Sequence, residues 1–201
     1  MKSKFIKDHF SSRPFFRTRD VIAATGAKRG YISHLLSNLV KKGDLDRIGR
    51  GTYTFLKDSS ASGFAFSPFY YGLQDALSIR GVWDQGTNPI IITPRKVRQG
   101  TRQVMGTNVI VRRISPRIFF GFEIVKYHGT AVPVSDLEKT LIDFAHFKEP
   151  IHPDVLLEMK KRLRKDMLKD YLGKVNWKTR KTVERLLNSV GKQRRKATTT
   201  S

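Results

Sequence analysis

The chain has 201 residues, one large domain or two small ones at roughly 100–200 residues per domain, and 39% of it is hydrophobic, enough for a packed core. It carries 39 Lys and Arg against 17 Asp and Glu, a formal charge of +22, and its cysteine count of zero excludes disulfides, thiol nucleophiles and cysteine-ligated zinc. No apolar run reaches the roughly 18–20 residues of a membrane span, and the first twenty residues lack a signal-peptide block, so a soluble cytoplasmic protein without a membrane partner is expected. The positive charge is uneven: +8 over residues 1–58, +4 over 59–150 and +10 over 151–201. Two basic ends around a nearly ordinary middle point to a polyanion, because neutralised phosphates release counterions and give sequence-independent affinity.

Taken in order, the chain opens with a helix over residues 3–10 that puts Phe5, Ile6 and Phe10 on one face. An extended Phe15-Phe16-Arg17 follows. Thr18 then reads as an N-cap, with Asp20 in the first turn and Gly26 ending the second helix. Over residues 28–42, Ile32, Leu35, Leu36, Leu39 and Val40 follow the spacing of a helix with one buried face, stopped by Gly43. Residues 45–48 and 52–55 flank Gly49-Arg50-Gly51 and predict a hairpin with a glycine turn. This order of elements predicts a winged helix-turn-helix over residues 1–58.

The opposite face of the third helix shows Lys28, Arg29, Tyr31, Ser33, His34, Ser37, Asn38 and Lys41. Cations, donors and acceptors at the N-terminal end of such a helix are what major-groove readout requires. Arg47 and Arg50 are placed at the wing, and Arg17 and Arg19 flank the start of the second helix, where guanidinium groups meet phosphates. The expected contact set on double-stranded DNA is therefore Arg17, Arg19, Lys28, Arg29, Tyr31, Ser33, His34, Asn38, Lys41, Arg47 and Arg50.

The small polar stretch 59–66 reads as a linker. Ser67-Pro68 reads as the start of a helix to residue 79, and Pro89 to Thr93 as a buried strand. Residues 95–107 show no period and read as a loop. Strands are predicted over 109–111, 118–127 and 131–134. Ser135 with Glu138 makes a capping-box pattern for the next helix, on which Lys139 and Asp143 are expected to pair at the surface. Helices are predicted over 154–168 and 179–190, and residues 191–201 as a disordered basic tail. The overall expectation is an α+β (mixed α/β) chain: winged helix 1–58, linker 59–66, mixed α/β domain with C-terminal helices 67–190, and tail 191–201.

Residues 67–77, 90–93, 120–124 and 132–143, the last reading Val-Pro-Val-Ser-Asp-Leu-Glu-Lys-Thr-Leu-Ile-Asp, carry a further signal. Together with the winged helix in front, they resemble the AbiEi family, antitoxins of type IV toxin–antitoxin systems and related transcriptional regulators. The resemblance implies a bifunctional protein. The N-terminal domain would bind inverted repeats in its own promoter and repress transcription, and the C-terminal domain would counter a nucleotidyltransferase-like toxin. After Pro150 the match is loose.

Enzyme signals are not found: no phosphate loop, no Gly-x-Ser-x-Gly elbow, and no metal-binding spacing among His9, His34, His128, His146 and His152. Catalytic residues, metal ligands and cofactors are accordingly expected to be none. Two other readings compete with a DNA-binding repressor. One is a structured-RNA binder that uses the basic C-terminal third, and the other is a nuclease.

Overall fold

The computed structural model describes residues 2–197. Helix α1 (Lys2–Phe10) buries Ile6 and Phe10, and strand β1 (Phe16–Arg17) leads into α2 (Thr18–Thr25). The cap is displaced by one residue from expectation. The Arg17 backbone N–H donates to Asp20 Oδ2 at 2.7 Å, so Arg17 flanks the helix, and the Thr18 N–H is free to reach the Gly51 carbonyl at 3.0 Å. Gly26 closes α2 at φ 63°, a left-handed conformation without penalty for glycine.

Helix α3 (Arg29–Lys41) buries Ile32, Leu36 and Leu39, the stripe its spacing predicts. The hairpin consists of β2 (Asp46–Gly49) and β3 (Thr52–Thr54), which pair antiparallel, and β1 joins to give the sheet order β1-β3-β2. Lys57 Nζ donates to the Gly43 carbonyl at 2.7 Å and to Asp46 Oδ2 at 2.8 Å, tying the end of α3 to the hairpin. Phe16, Val21, Leu45 and Tyr53 complete this first core.

Residues 59–66 are not a loose linker. They form a 3-10 helix, Ser59–Phe66, in which Ser60, Ala61, Ser62, Gly63 and Phe64 are buried. Small side chains serve close approach here: a Cβ on Gly63 would lie 2.0 Å from Phe69 Cε2. Phe64 stacks on Phe15 at 5.3 Å, and Ile48 of β2 shares one core cluster with Ala61, Phe64, Phe69 and Tyr71.

Beyond it lies a six-stranded mixed sheet, order β6-β7-β5-β4-β9-β8. Its strands are β4 (Tyr70–Tyr71), β5 (Ile90–Thr93), β6 (Gly100–Val104), β7 (Thr107–Arg113), β8 (Phe122–Tyr127) and β9 (Thr130–Ser135). The helix expected from residue 67 starts only at α4 (Leu73–Ile79), because Tyr70 and Tyr71 pair with β5 and β9 in the middle of the sheet. Successive side chains on a strand point to opposite faces, so Tyr70 enters the helix-side core and Tyr71 the core under the 3-10 helix. The expected loop at 95–107 holds β6 and a tight turn, with Met105 and Gly106 at φ 51° and 73°. As an edge strand with Val104 its one buried residue, β6 has no apolar alternation to read.

Helix α5 (Leu137–Phe147) is capped by Asp136, whose Oδ1 accepts the Lys139 N–H at 2.7 Å, and not by Ser135. The Ser135 hydroxyl is instead 2.7 Å from Thr140 Oγ1. The helix expected over 154–168 is two, α6 (Pro153–Arg162) and α7 (Lys165–Gly173). The break has a cause: the backbone N–H of Arg164 turns to Glu138 Oε1 at 2.6 Å, leaving Leu163 and Arg164 extended. Helix α8 (Trp177–Ala197) passes residue 190, where the sequence ended it, through good helix formers expected to be disordered; residues 198–201 of that expected tail lie outside the described residues. The helices cover one face of the sheet through Leu77, Leu141, Phe144, Leu156, Met159 and Val183.

Candidate nucleic-acid interface

With Ile32 and Leu36 fully buried, α3 must turn its other side outward. Arg29, Tyr31, Ser33, His34, Ser37 and Lys41 are exposed, as is Lys28 at the N-cap, and Tyr31 keeps 49% of its surface. Lys28 contributes no side-chain cap hydrogen bond. The helix therefore presents its partial positive charge beside two basic side chains, a combination that favours phosphate oxygens.

Asn38 departs from this face. It is half-buried, its Nδ2 lies 3.0 Å from His34 Nε2, and it lines a groove between α1 and α3 with Lys4, Lys7 and Lys42. Those three lysines were missed as candidates. The signal was present, since residues 4 and 7 share a helix face, but only packing brings that face beside α3.

At the wing, Arg47 and Arg50 are exposed. The Arg47 Nε donates to the Gly49 carbonyl at 3.3 Å, which lays the guanidinium along its own strand. Arg50 sits in the turn, where Gly51 takes φ 65° and a side chain would be strained. The bond from Thr18 to Gly51 fastens this turn to the start of α2, so Arg50, Arg17 and Arg19 come from one hydrogen-bonded junction. Arg19 is exposed, with its Nε 3.6 Å from Asp20 Oδ1, whereas Arg17 is half-buried with its guanidinium 5.8 Å from the Phe15 ring centre.

The other cluster of chemistry-bearing residues is in α5. Lys139 and Asp143 were expected at the surface, but both side chains are fully buried and ion-paired. Tyr70 Oη donates to Asp143 Oδ2 at 2.9 Å, and the rings of Tyr70 and Phe120 lie 5.3 and 5.5 Å from Lys139 Nζ. Burial pushes the Asp143 carboxyl up, and Lys139 and Tyr70 pull against it. Glu138, read as a cap, holds Arg164 at 2.8 Å; burial would raise its carboxyl, but the Arg164 hydrogen bonds outweigh it and keep it below the usual range. Tyr171 Oη donates to Asp136 Oδ2 at 2.8 Å. Every group has a protein partner and Lys139 and Asp143 meet no solvent, so the network joins β4, α5 and α7 rather than exposing a reactive atom. Among the described residues no group of three or more His, Cys, Asp or Glu is arranged to hold a metal ion, and no helix is long and apolar enough to cross a membrane.

Over 94% of its length the chain superposes on 75% of the crystal structure of the RV2827C protein from Mycobacterium tuberculosis, with TM-score 0.62 and 15% sequence identity. That likeness shows the shared fold, a mixed α/β architecture carrying a winged helix at its N-terminus. No curated protein matches the chain. The segment that folds as α1 to β3, residues 4–55, matches the family model described as transcriptional regulator, AbiEi antitoxin.

Proposed function

We propose that the protein is a sequence-specific repressor that docks α3 in the major groove of double-stranded DNA, with Arg50 on the adjoining backbone. The observation that carries this is the two-sidedness of α3: Ile32, Leu36 and Leu39 buried, and Lys28, Arg29, Ser33, His34 and Lys41 exposed on the reverse. Arg29 and His34 lie near base edges. Arg17, Arg19, Lys28, Lys41, Arg47 and Arg50 meet phosphate, and Tyr31 and Asn38 border the contact. The operator is an inverted repeat in the gene's own promoter. The C-terminal part acts as the antitoxin that counters a nucleotidyltransferase-like toxin of the same system, and the chain itself is not an enzyme.

The experiment is a mobility-shift titration on the upstream region over a range of salt. Loss of one bidentate base contact at Arg29 should weaken binding by about 1–3 kcal/mol. Each phosphate contact removed should lower the slope of log affinity against log salt by about 0.9. Unchanged operator affinity in the Arg29→Ala, Arg50→Ala double variant would refute the docking.

A structured-RNA reading draws on exposed Lys161, Arg162, Lys165, Lys178, Lys181 and Arg185 of α6–α8. Competition between operator duplex and folded RNA at moderate salt separates the two, and retention of RNA over operator would favour this second reading.

A further inference from the structure

A small cavity of about 140 Å³ opens beside β4 and α4, and none of its lining residues belongs to the winged helix. Asp75 is the one charged side chain in its lining, and the rest of its polar wall comes from serine, threonine and tyrosine residues and from Asn88. In a chain of charge +22, no basic side chain lines it. Its carboxylate, Asp75, is 7% exposed, and the partner the structure gives it is the Ile90 N–H, 3.1 Å from Oδ2. Ser60 is 3% exposed, and its Oγ is buried without a hydrogen-bond partner. The rest of that residue is satisfied: its N–H donates to Asp58 Oδ1 at 2.7 Å, and its carbonyl accepts from Tyr71 Oη at 2.7 Å. The Ser60 hydroxyl is closed off from the cavity, whereas Asp75 lines it, and a carboxylate this buried is ordinarily paired with a cation, so its place here marks a site built for one.

We infer that this cavity binds a small organic ammonium or amidinium cation, which donates its N–H groups to Asp75 and Asn88. The volume is close to that of a cavity that takes a six-carbon ring, so the ligand has about six heavy atoms. A hard divalent ion fits poorly, because one carboxylate balances only half of its charge and the rest of the wall is neutral. The other ionisable groups that line the cavity with Asp75 are Tyr71 of β4 and Tyr127 of β8, and the charge of Asp58, the cap of the 3-10 helix, reaches both tyrosines. None of them supplies a positive charge. Burial pushes Asp75 up to about 7, with the Ile90 N–H pulling the other way, and burial followed by the charges of Asp75 and Asp58 raises Tyr127. An incoming cation therefore meets a carboxyl that it must hold in the ionised form.

Calorimetric titration of the full chain tests this, with n-butylammonium and acetamidinium as probes and n-butanol and potassium chloride as controls. Saturable binding of the cations with silent controls is expected. Affinity should be about ten-fold higher at pH 8 than at pH 6, because the carboxyl is mostly protonated at the lower pH. Asp75→Asn should abolish binding, and Asn88→Ala should weaken it several-fold. Should Asp75→Asn fail to fold, Asn88→Ala and the pH series still decide. Equal binding of n-butanol, displacement by potassium, pH-independent affinity, or no saturation by either cation on the order of 10 mM overturns the assignment.

Discussion

Lys139 is an ammonium group sealed between two aromatic rings with its counter-charge four residues on. Removing one member of a buried ion pair leaves the other charge without compensation, at a cost of about 3–5 kcal/mol. Lys139→Met should therefore lower stability by that amount in urea denaturation. Converting both residues, Lys139→Met with Asp143→Leu, removes both charges and leaves the Tyr70 hydroxyl to be resolved, a loss of about 1–3 kcal/mol. The double variant should thus be more stable than the single one, and the opposite order would show that Asp143 takes up a proton and sits in the core without its partner at little cost. The spacing of the pair was legible in the sequence, and its burial was not. The local spacing points the other way, because Lys139, Asp143 and His146 share one side of α5 opposite Leu137, Leu141 and Phe144, the pattern of a solvated face.

At the level of elements, legibility followed the length of the pattern. Helix α3 has five apolar residues in register, and the hairpin has a glycine turn between alternating strands. Both were read from the chain, together with the outward face that carries the candidate contacts. Strand β4 has two residues and β6 is an exposed edge, so neither offers a period, and only pairing with β5, β7 and β9 defines them. The 3-10 helix Ser59–Phe66 was hidden for a different reason. Its serines and glycine have the composition of a flexible linker, yet the missing side chain of Gly63 makes room for the Phe69 ring. Gly63→Ala should accordingly destabilise the chain by about 1–3 kcal/mol through overpacking. A true linker glycine would give the reverse, a gain of about 0.4–1 kcal/mol from a stiffer unfolded chain. The sign of the shift in thermal midpoint distinguishes the two.

For the molecule as a whole, the consequence of that buried 3-10 helix is mechanical unity. Ile48 of the wing and Phe15 before β1 share a hydrophobic cluster with Phe64, Phe69 and Tyr71 at the foot of the six-stranded sheet. The winged helix has its own core as well, in Ile6, Phe10, Val21, Ile32 and Leu36. Coupling between the two parts then depends on whether the shared cluster outweighs the independence of each. With Ile48 at 4% and Phe64 at 8% exposure, separating the parts would uncover several large side chains, each worth about 1.5–3 kcal/mol when fully buried. Unfolding should therefore be a single transition. Both tryptophans, Trp83 and Trp177, lie beyond the winged helix, so their fluorescence follows the second part alone, whereas far-UV circular dichroism follows the whole chain. The two probes should give coincident curves in guanidinium, and Phe64→Ala should pull them apart by loosening the shared cluster. Separated curves in the unsubstituted protein would mean that the winged helix melts by itself, and that the cluster under the wing is a contact between independent units.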